Sequence, residues 1–542
     1  MNKKRIFGAF LAVVMAVVCA DAQAKNKTLF HYVAYEAAFW PKNTQITVDN
    51  YSKIYLERLG RVPFDVLVFA PVFGFGSMAA NLTSATYPKI QPHVESKWLA
   101  GYKNGMPELL KRGGDPITET VKWCKKNKRE AVVALPVNLL GSHSSRPSAD
   151  YPPGSWNCYL WPDFKTQNQD CLMDPDKKTS TPYASKVAVD YTNAKVRDKF
   201  TAIAGEIASK YDIDGFMIDF MMNPAIFRSV AQGGEAAPKE RELLTQMMLK
   251  IKASCKAASA RLGHPVRLMA RVPDSVDFCK GIGIDLQGWF DTKLLDEVVL
   301  AGQFQLNRWN VVGDAAAKAG IPFYASFTVS GIYVGNDSGY VGDDERLPRQ
   351  SAPTFRARIA DAILCGASGC MYTMAMHHEH GINLGEVVRF DPEANKTGNK
   401  RYFVSYTNDR FANGPLKGGR DKLSLPSLLS TNPIDLSKGG AKYTIYVWDK
   451  LSELKSSGHD VEATLVTEAS IPSGIETIVM FNGKEYKPFK KRAGTQLYKV
   501  PIEFVKYGAN EVSVKSKGAN KRGGRANLGN ISVEVTFKKA GK

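Results

Sequence analysis

The stretch Tyr211–Pro224, "YDIDGFMIDFMMNP", decides the fold and holds the first candidate for chemistry. It is too short and too apolar for a surface helix and is bounded by turn residues, so it reads as a buried strand. Alternate residues of a strand share a face. Phe216, Ile218 and Phe220 suit packing under outer helices, which turns Gly215, Met217 and Asp219 the other way, with Asp219 in the end layer and Met217 filling the layer beneath. A lone carboxylate there is costly unless it is hydrogen-bonded, solvated or in use. Asp212 and Asp214 stand at the beginning of the same strand, where charge serves stability.

Seven further stretches read the same way: "LFHYVAYE", "FDVLVFAPV", "EAVVALPV", "VRLMARV", "LDEVVLA", "PFYASFTV" and "GCMYTMA". Helical stretches such as "DPITETVKWCKKNK" and "NAKVRDKFTAIAGEIASKY" lie between them. Asp115 followed by Pro116 is a helix start. Strands alternating with helices predict an α/β fold, a (β/α)8 TIM barrel over residues 25–399. Its excess over the ~250 residues usual for that fold lies in long C-terminal-face loops, where such barrels carry their sites. These loops hold Trp161 and other aromatic residues suited to stacking on sugar rings.

Residues 400–440 are rich in Gly, Pro, Ser and Asn and read as a linker. Short alternating strands then predict an all-β sandwich over 441–542. At the other end, Lys3, Lys4 and Arg5 precede an apolar run, and Ala22-Gln23-Ala24 is a small-x-small cleavage site. Residues 1–24 therefore read as a secretory signal and the mature chain as secreted or periplasmic. No later run approaches the ~20 apolar residues of a transmembrane segment.

The formal net charge of +19 implies anionic surroundings or an anionic partner. In an exported protein, nucleic acid is a poor partner and a sulfated or carboxylated polysaccharide a better one. Of the 8 cysteines, Cys19 falls in the leader. Cys158 and Cys171 flank a polar loop and are the best pairing for a disulfide, while Cys124 and Cys255 fall in helical stretches as buried structural residues.

The segments "GGDPITETVKWCKKNKREAVVALPVN", "NAKVRDKFTAIAGEIASKYDIDGFMIDFMMNPAIF" and "VRLMARVPDSVDFCKGIGIDLQGWFDTKLLDEVVLA" resemble, in that order, a family of exported bacterial glycoside-hydrolase-like (β/α)8 proteins. The "GANEVSVK" tail looks like the β-sandwich such proteins often carry. The resemblance implies a carbohydrate-active role on a polysaccharide or oligosaccharide. The chain departs from that family's pattern on the fourth strand, with Met217 in place of Glu and Met222-Asn223 in place of Arg-His. A carboxylate pair is therefore not carried over unchanged.

Glycoside hydrolysis needs two carboxyl groups flanking the scissile bond. Asp219 is one. Glu36 after strand one and Glu379 after strand eight lead for the second, with Asp274 and Asp337 behind them. Arg271 ends strand five, and its guanidinium fork suits an oxygen pair on a substrate or on Asp219. Asn138 and His143 follow strand three, Gln303 and Gln305 follow strand six, and His31 lies within strand one, all as substrate-binding candidates. His377 and His378 belong to "HHEH", which invites a metal reading. No second cluster supports one, so substrate binding is expected of them and no metal. Nucleotide and phosphate loops are missing, so no cofactor is expected, and no Gly-x-Ser-x-Gly elbow is present. Two other readings stay open: a barrel that binds glycan without cleaving it, and a polysaccharide lyase using a His or Tyr base with Arg271.

Overall fold

The computed structural model describes residues 26–33, 39–41, 43–73, 76–77, 82–83, 102–138, 163–173, 188–221, 223–301, 307–328, 351–375, 387–405, 434–492, 494–517 and 526–538. Eight parallel strands close a barrel. They are β1 (Lys27–Val33), β2 (Val66–Ala70), β3 (Glu130–Pro136), β4 (Gly215–Asp219), β5 (Arg267–Val272), β6 (Glu297–Leu300), β7 (Phe323–Thr328) and β8 (Gly369–Ala375). All eight match the strands expected from the sequence. The connecting helices include α1 (Pro116–Lys126), α2 (Ala194–Lys210), α3 (Pro238–Leu262), α4 (Asn310–Lys318) and α5 (Ala352–Leu364). Asp115 caps α1 as expected, its side chain accepting from the Ile117 and Thr118 amides. The outward residues of the strands are covered by apolar side chains: Phe30 stacks on Phe64, just before β2, at 5.2 Å, and Phe327 meets Phe355 of α5 and Tyr372 of the neighbouring β8. His31, Met217 and Ser326, of opposite parity, are thereby turned inward.

The lower end of the barrel is held by ionic and backbone clips. Lys27 and Arg267 both pair with Glu130, and Arg267 also reaches Glu297 at 3.1 Å. Two cations and two carboxylates thus close the floor with balanced charge. A second device repeats along the chain. Asp65, Asp214 and Asp296 each stand just before an even-numbered strand. Each accepts the backbone N–H of a residue in the preceding odd strand: Thr28 at 2.9 Å, Ala131 at 2.7 Å and Leu268 at 2.7 Å. These aspartates tie β1 to β2, β3 to β4 and β5 to β6. Asp212, the other acidic residue at the start of the strand, pairs with Lys125 and lies 2.7 Å from His264.

After β8, residues 387–390 latch under β1. The Phe390 amide donates to Thr28 Oγ1 at 2.7 Å, and the Tyr372 hydroxyl donates to the Val388 carbonyl at 2.7 Å. Residues 400–405, placed in the linker by composition, instead begin the next unit as β9 (Lys400–Ser405). They pair antiparallel with the last strand, from Lys400 opposite Val535 to Ser405 opposite Asn530. β10 (Ala441–Val447), β11 (Val461–Ser470), β12 (Glu476–Phe481), β13 (Lys484–Tyr486), β14 (Lys490–Arg492), β15 (Thr495–Val500), β16 (Gly508–Lys517) and β17 (Asn527–Phe537) follow. They form two antiparallel sheets, ordered β9-β17-β11-β15-β14 and β10-β16-β12-β13, with Ile434–Asp435 added beside β17. A separate apolar core including Leu465, Val479, Phe481, Val514 and Val533 lies among them, which is the sandwich arrangement.

The joint between barrel and sheets is aromatic and ionic. Arg308, just before α4, pairs with Asp361 of α5 at 2.8 Å, and its guanidinium lies over Tyr446 and Trp448 at 5.0 and 4.6 Å. Lys400 and Tyr402 both bond to buried Asp449, at 2.8 and 3.0 Å.

Cys171 is a free, buried thiol, so its expected pairing with Cys158 is not formed; Cys158 itself lies outside the described residues. Cys124 and Cys255 are buried as expected, and burial pushes both thiols up to about 12. The expected leader, residues 1–24, also lies outside the described residues. Among the described residues no helix is long and apolar enough to cross a membrane.

Candidate active site

The upper layers of the barrel interior carry the polar groups. Asp219 ends β4 in direct register with Arg271 of β5 and Pro136 of β3. Its carboxylate is fully buried and both oxygens are engaged. Arg271 Nη1 donates to Oδ2 at 3.0 Å, and the Met221 amide donates to Oδ1 at 2.8 Å. Met217 fills the space below, as the strand alternation requires.

Register places the neighbours. Arg271 pairs with Val299, Val299 with Tyr324, Tyr324 with Gly369, and Gly369 with Lys27. In a barrel of shear eight, each step to the next strand climbs about one residue. Arg271 on β5 is therefore level with Ser326 on β7, His31 on β1 and Ala134 on β3. The same count puts Asp219 level with Thr373 of β8. Odd and even strands thus supply alternating layers, as expected of this fold. Ala134 and Ser326 are the small members of this layer, Arg271 and His31 the large ones, and all four are buried.

The polar atoms of this layer are incompletely used. Arg271 Nε donates to the Ala301 carbonyl at 3.3 Å, but Nη2 has no partner among the described residues. Ala301 takes a positive φ of 65°, uncommon for a residue with a Cβ, where the chain leaves β6. Among the described residues neither ring nitrogen of His31, 1% exposed, has a hydrogen-bond partner, and the Ser326 hydroxyl has none. Burial pulls His31 down to about 4, with Asp219 opposing the shift and Arg271 reinforcing it. The imidazole is therefore neutral at pH 7. Burial also pulls the Arg271 guanidinium below its ordinary range, and Asp219 works against that. The imidazole of this layer is thus uncharged near neutral pH and lies near the Arg271–Asp219 ion pair, whose carboxylate belongs to the layer above.

Other residues singled out in the sequence fall differently. Asn138 is buried and fully occupied: its Nδ2 donates to the carbonyls of Val189 and Ala225, and its Oδ1 accepts from the Val189 amide. It clamps the backbone after β3 to two later segments and has no polar atom left over for a substrate. Asp274 accepts the Asn307 amide at 2.6 Å, and its carbonyl accepts from the Asn307 side chain. That carboxylate anchors the chain after β6. Asn223 Oδ1 accepts the Ala225 amide, a local turn bond. Glu36, Glu379, His143, Gln303, Gln305, His377, His378 and Trp161 lie outside the described residues, as does Asp337. Among the described residues no cluster of His, Cys, Asp and Glu has the makings of a metal site. Ser326 was missed by sequence reasoning. Its signal was its inward parity within "PFYASFTV", with Phe323 and Phe327 marking the outward face.

No family model and no curated protein sequence matches the chain. Three solved structures show what the chain is similar to. The PgaB (BpsB) glycoside hydrolase domain from Bordetella bronchiseptica is 9% identical with a TM-score of 0.37, over 64% of this chain and 94% of that one. Chitinase ChiA74 from Bacillus thuringiensis is 9% identical with a TM-score of 0.36, over 92% and 98% of the two chains. A family GH18 chitinase from Chromobacterium violaceum is 12% identical with a TM-score of 0.34, over 96% and 89%. At these values the likeness says nothing about the chemistry of this chain.

Proposed function

We infer that this protein is an exported glycoside hydrolase that cleaves a polysaccharide. The observation that carries the reading is Asp219, a carboxylate at the C-terminal end of β4 in the barrel interior, beside Arg271 and an unprotonated His31. Active sites of such barrels lie at that end of the strands. In hydrolysis the glycosidic C–O bond breaks, the leaving oxygen takes a proton from an acid, and water supplies the hydroxyl at the anomeric carbon. Asp219, ion-paired with Arg271, is suited to face the positive charge that builds on the sugar ring. The donor falls to Glu36 or Glu379, of which strands one and eight would make neighbours. The basic surface, +19 overall, draws an anionic polymer towards the barrel.

Reducing-end release from neutral, carboxylated and sulfated polysaccharides tests this, with wild type beside Asp219→Asn and ultraviolet absorbance read in parallel. Asparagine keeps the acceptor for Arg271 but turns its NH2 towards the Met221 amide and leaves the buried guanidinium unbalanced, so the circular dichroism spectrum and urea midpoint of the variant are read beside its activity. Release should fall at least ~100-fold. Equal release by both proteins would remove Asp219 from the mechanism.

A second reading has its own observation. A neutral, buried histidine beside an arginine with a spare N–H is the pairing a lyase needs to take a proton next to a sugar carboxylate. New absorbance during cleavage would favour it. Glycan binding without release by wild type would leave a noncatalytic barrel, which the full engagement of both Asp219 oxygens favours.

A further inference from the structure

Three buried side chains on one inner layer have polar atoms with no hydrogen-bond partner among the described residues: Arg271 Nη2, Ser326 Oγ and both nitrogens of His31. Buried polar groups are nearly always hydrogen-bonded, and exceptions call for an explanation such as a ligand or an ordered water. Three on one layer, at the end of the barrel where such folds bind substrate, form a built site. The kinds of bond on offer define what fits. Arg271 Nη2 only donates. Neutral His31 donates from one nitrogen and accepts at the other, and the Ser326 hydroxyl does either.

A carboxylate or sulfate only accepts. It would set oxygen lone pairs against the accepting nitrogen of His31, and its charge against Asp219, whose own charge already balances that of Arg271. A hydroxyl group donates once and accepts, which matches the mixed set. Two neighbouring hydroxyls can satisfy all three residues without adding charge beside an Arg271–Asp219 pair that is already balanced.

We propose that the innermost position of this site takes an uncharged sugar ring through two of its hydroxyl groups, received by Arg271, Ser326 and His31, and rejects a sugar bearing a carboxylate or sulfate there. This rests on the glycan-processing reading and refines its substrate. Anionic groups of a polymer drawn in by the basic surface then lie on sugar units flanking the inner position. His31 and Ser326 are specificity-determining residues on this account, and Arg271 serves both the sugar and Asp219.

The test is ligand-observed NMR on the full chain with sugar pairs that differ only at carbon six: glucose and glucuronate, galactose and galacturonate, mannose and mannuronate. At least one neutral sugar should bind tenfold or more tighter than its acid. Ser326→Ala, which removes one oxygen from an otherwise unchanged layer, and His31→Leu should each weaken that sugar at least fivefold. His31→Gln, which restores a donor and an acceptor, should recover part of the loss. An acid that binds as well as its neutral partner overturns the proposal. So does an absence of binding by every neutral sugar, or wild-type affinity in Ser326→Ala. Binding and turnover are read separately: neutral-sugar binding without cleavage of any polysaccharide would sink the hydrolase reading alone, and cleavage with a preference for acids would sink only this one.

Discussion

Replacing His31 with leucine should remove one limb of the acid-stability curve. An imidazole in the unfolded chain titrates near 6.5. In the folded barrel burial holds His31 down to about 4, against the pull of Asp219 and with the push of Arg271, the two charged groups that act on it. Between those pH values the unfolded chain carries a proton that the folded chain refuses. Stability is therefore present in full above 6.5, drains away as the pH falls, and stops draining near 4. The gap amounts to about 3 kcal/mol. Buried Glu297, Asp361 and Asp449 are raised, chiefly by burial, and push the curve the opposite way. The comparison must therefore be a difference between two proteins that share those groups. Urea unfolding at pH 7, 6, 5 and 4.5 gives both curves. Wild type should lose about 2.4 kcal/mol more than His31→Leu between pH 7 and 4.5. Parallel curves would refute the argument, because they would mean that His31 is solvated or bonded in the folded state.

Arg271→Met strands the Asp219 carboxylate in the interior and should cost about 3–5 kcal/mol, read as a fall in the urea midpoint; pairing it with Asp219→Leu should recover much of that. Arg308→Ala removes two ring contacts and the partner of Asp361, for about 2–4 kcal/mol. Calorimetry should then split one transition into two as the sheets part from the barrel. Gly369→Ala should prevent barrel closure and leave the protein insoluble, since a Cβ there would collide with the Lys27 backbone carbonyl; soluble protein with a normal circular dichroism spectrum would contradict this.

The barrel was legible because each strand carries its own signal: a short apolar run, turn residues at both ends, and helical periodicity between. The inward side of "GFMID" followed from parity alone, and so did Met217 below Asp219. The pairing of Asp219 with Arg271 was an open alternative, since a strand-end arginine serves a substrate or a carboxylate equally well. What parity could not give is which polar atoms end up satisfied. Asn138 looked like a ligand-binding amide at a strand end, yet three backbone bonds consume it. Those partners, Val189 and Ala225, come from segments more than fifty residues away, so no local pattern reveals them. Ser326 went unnoticed for the converse reason, since a serine among strand residues carries no signal until its layer is known. The disulfide expectation used loop spacing, which measures reach and says nothing of where Cys171 is buried.

The aspartate clips at the barrel floor divide the strands unevenly. Three pairs, β1 with β2, β3 with β4 and β5 with β6, are stapled by a carboxylate. At the matching place before β8 stands Ser368, whose backbone amide alone bonds to the Phe323 carbonyl. Partial opening should therefore start where β7 and β8 meet, and amides there should exchange with solvent sooner than those of the stapled pairs. Ser326 lies along that line, so opening would start beneath the innermost binding layer, while higher up the Thr373 hydroxyl, donating to the Phe327 carbonyl at 2.9 Å, holds the same two strands together.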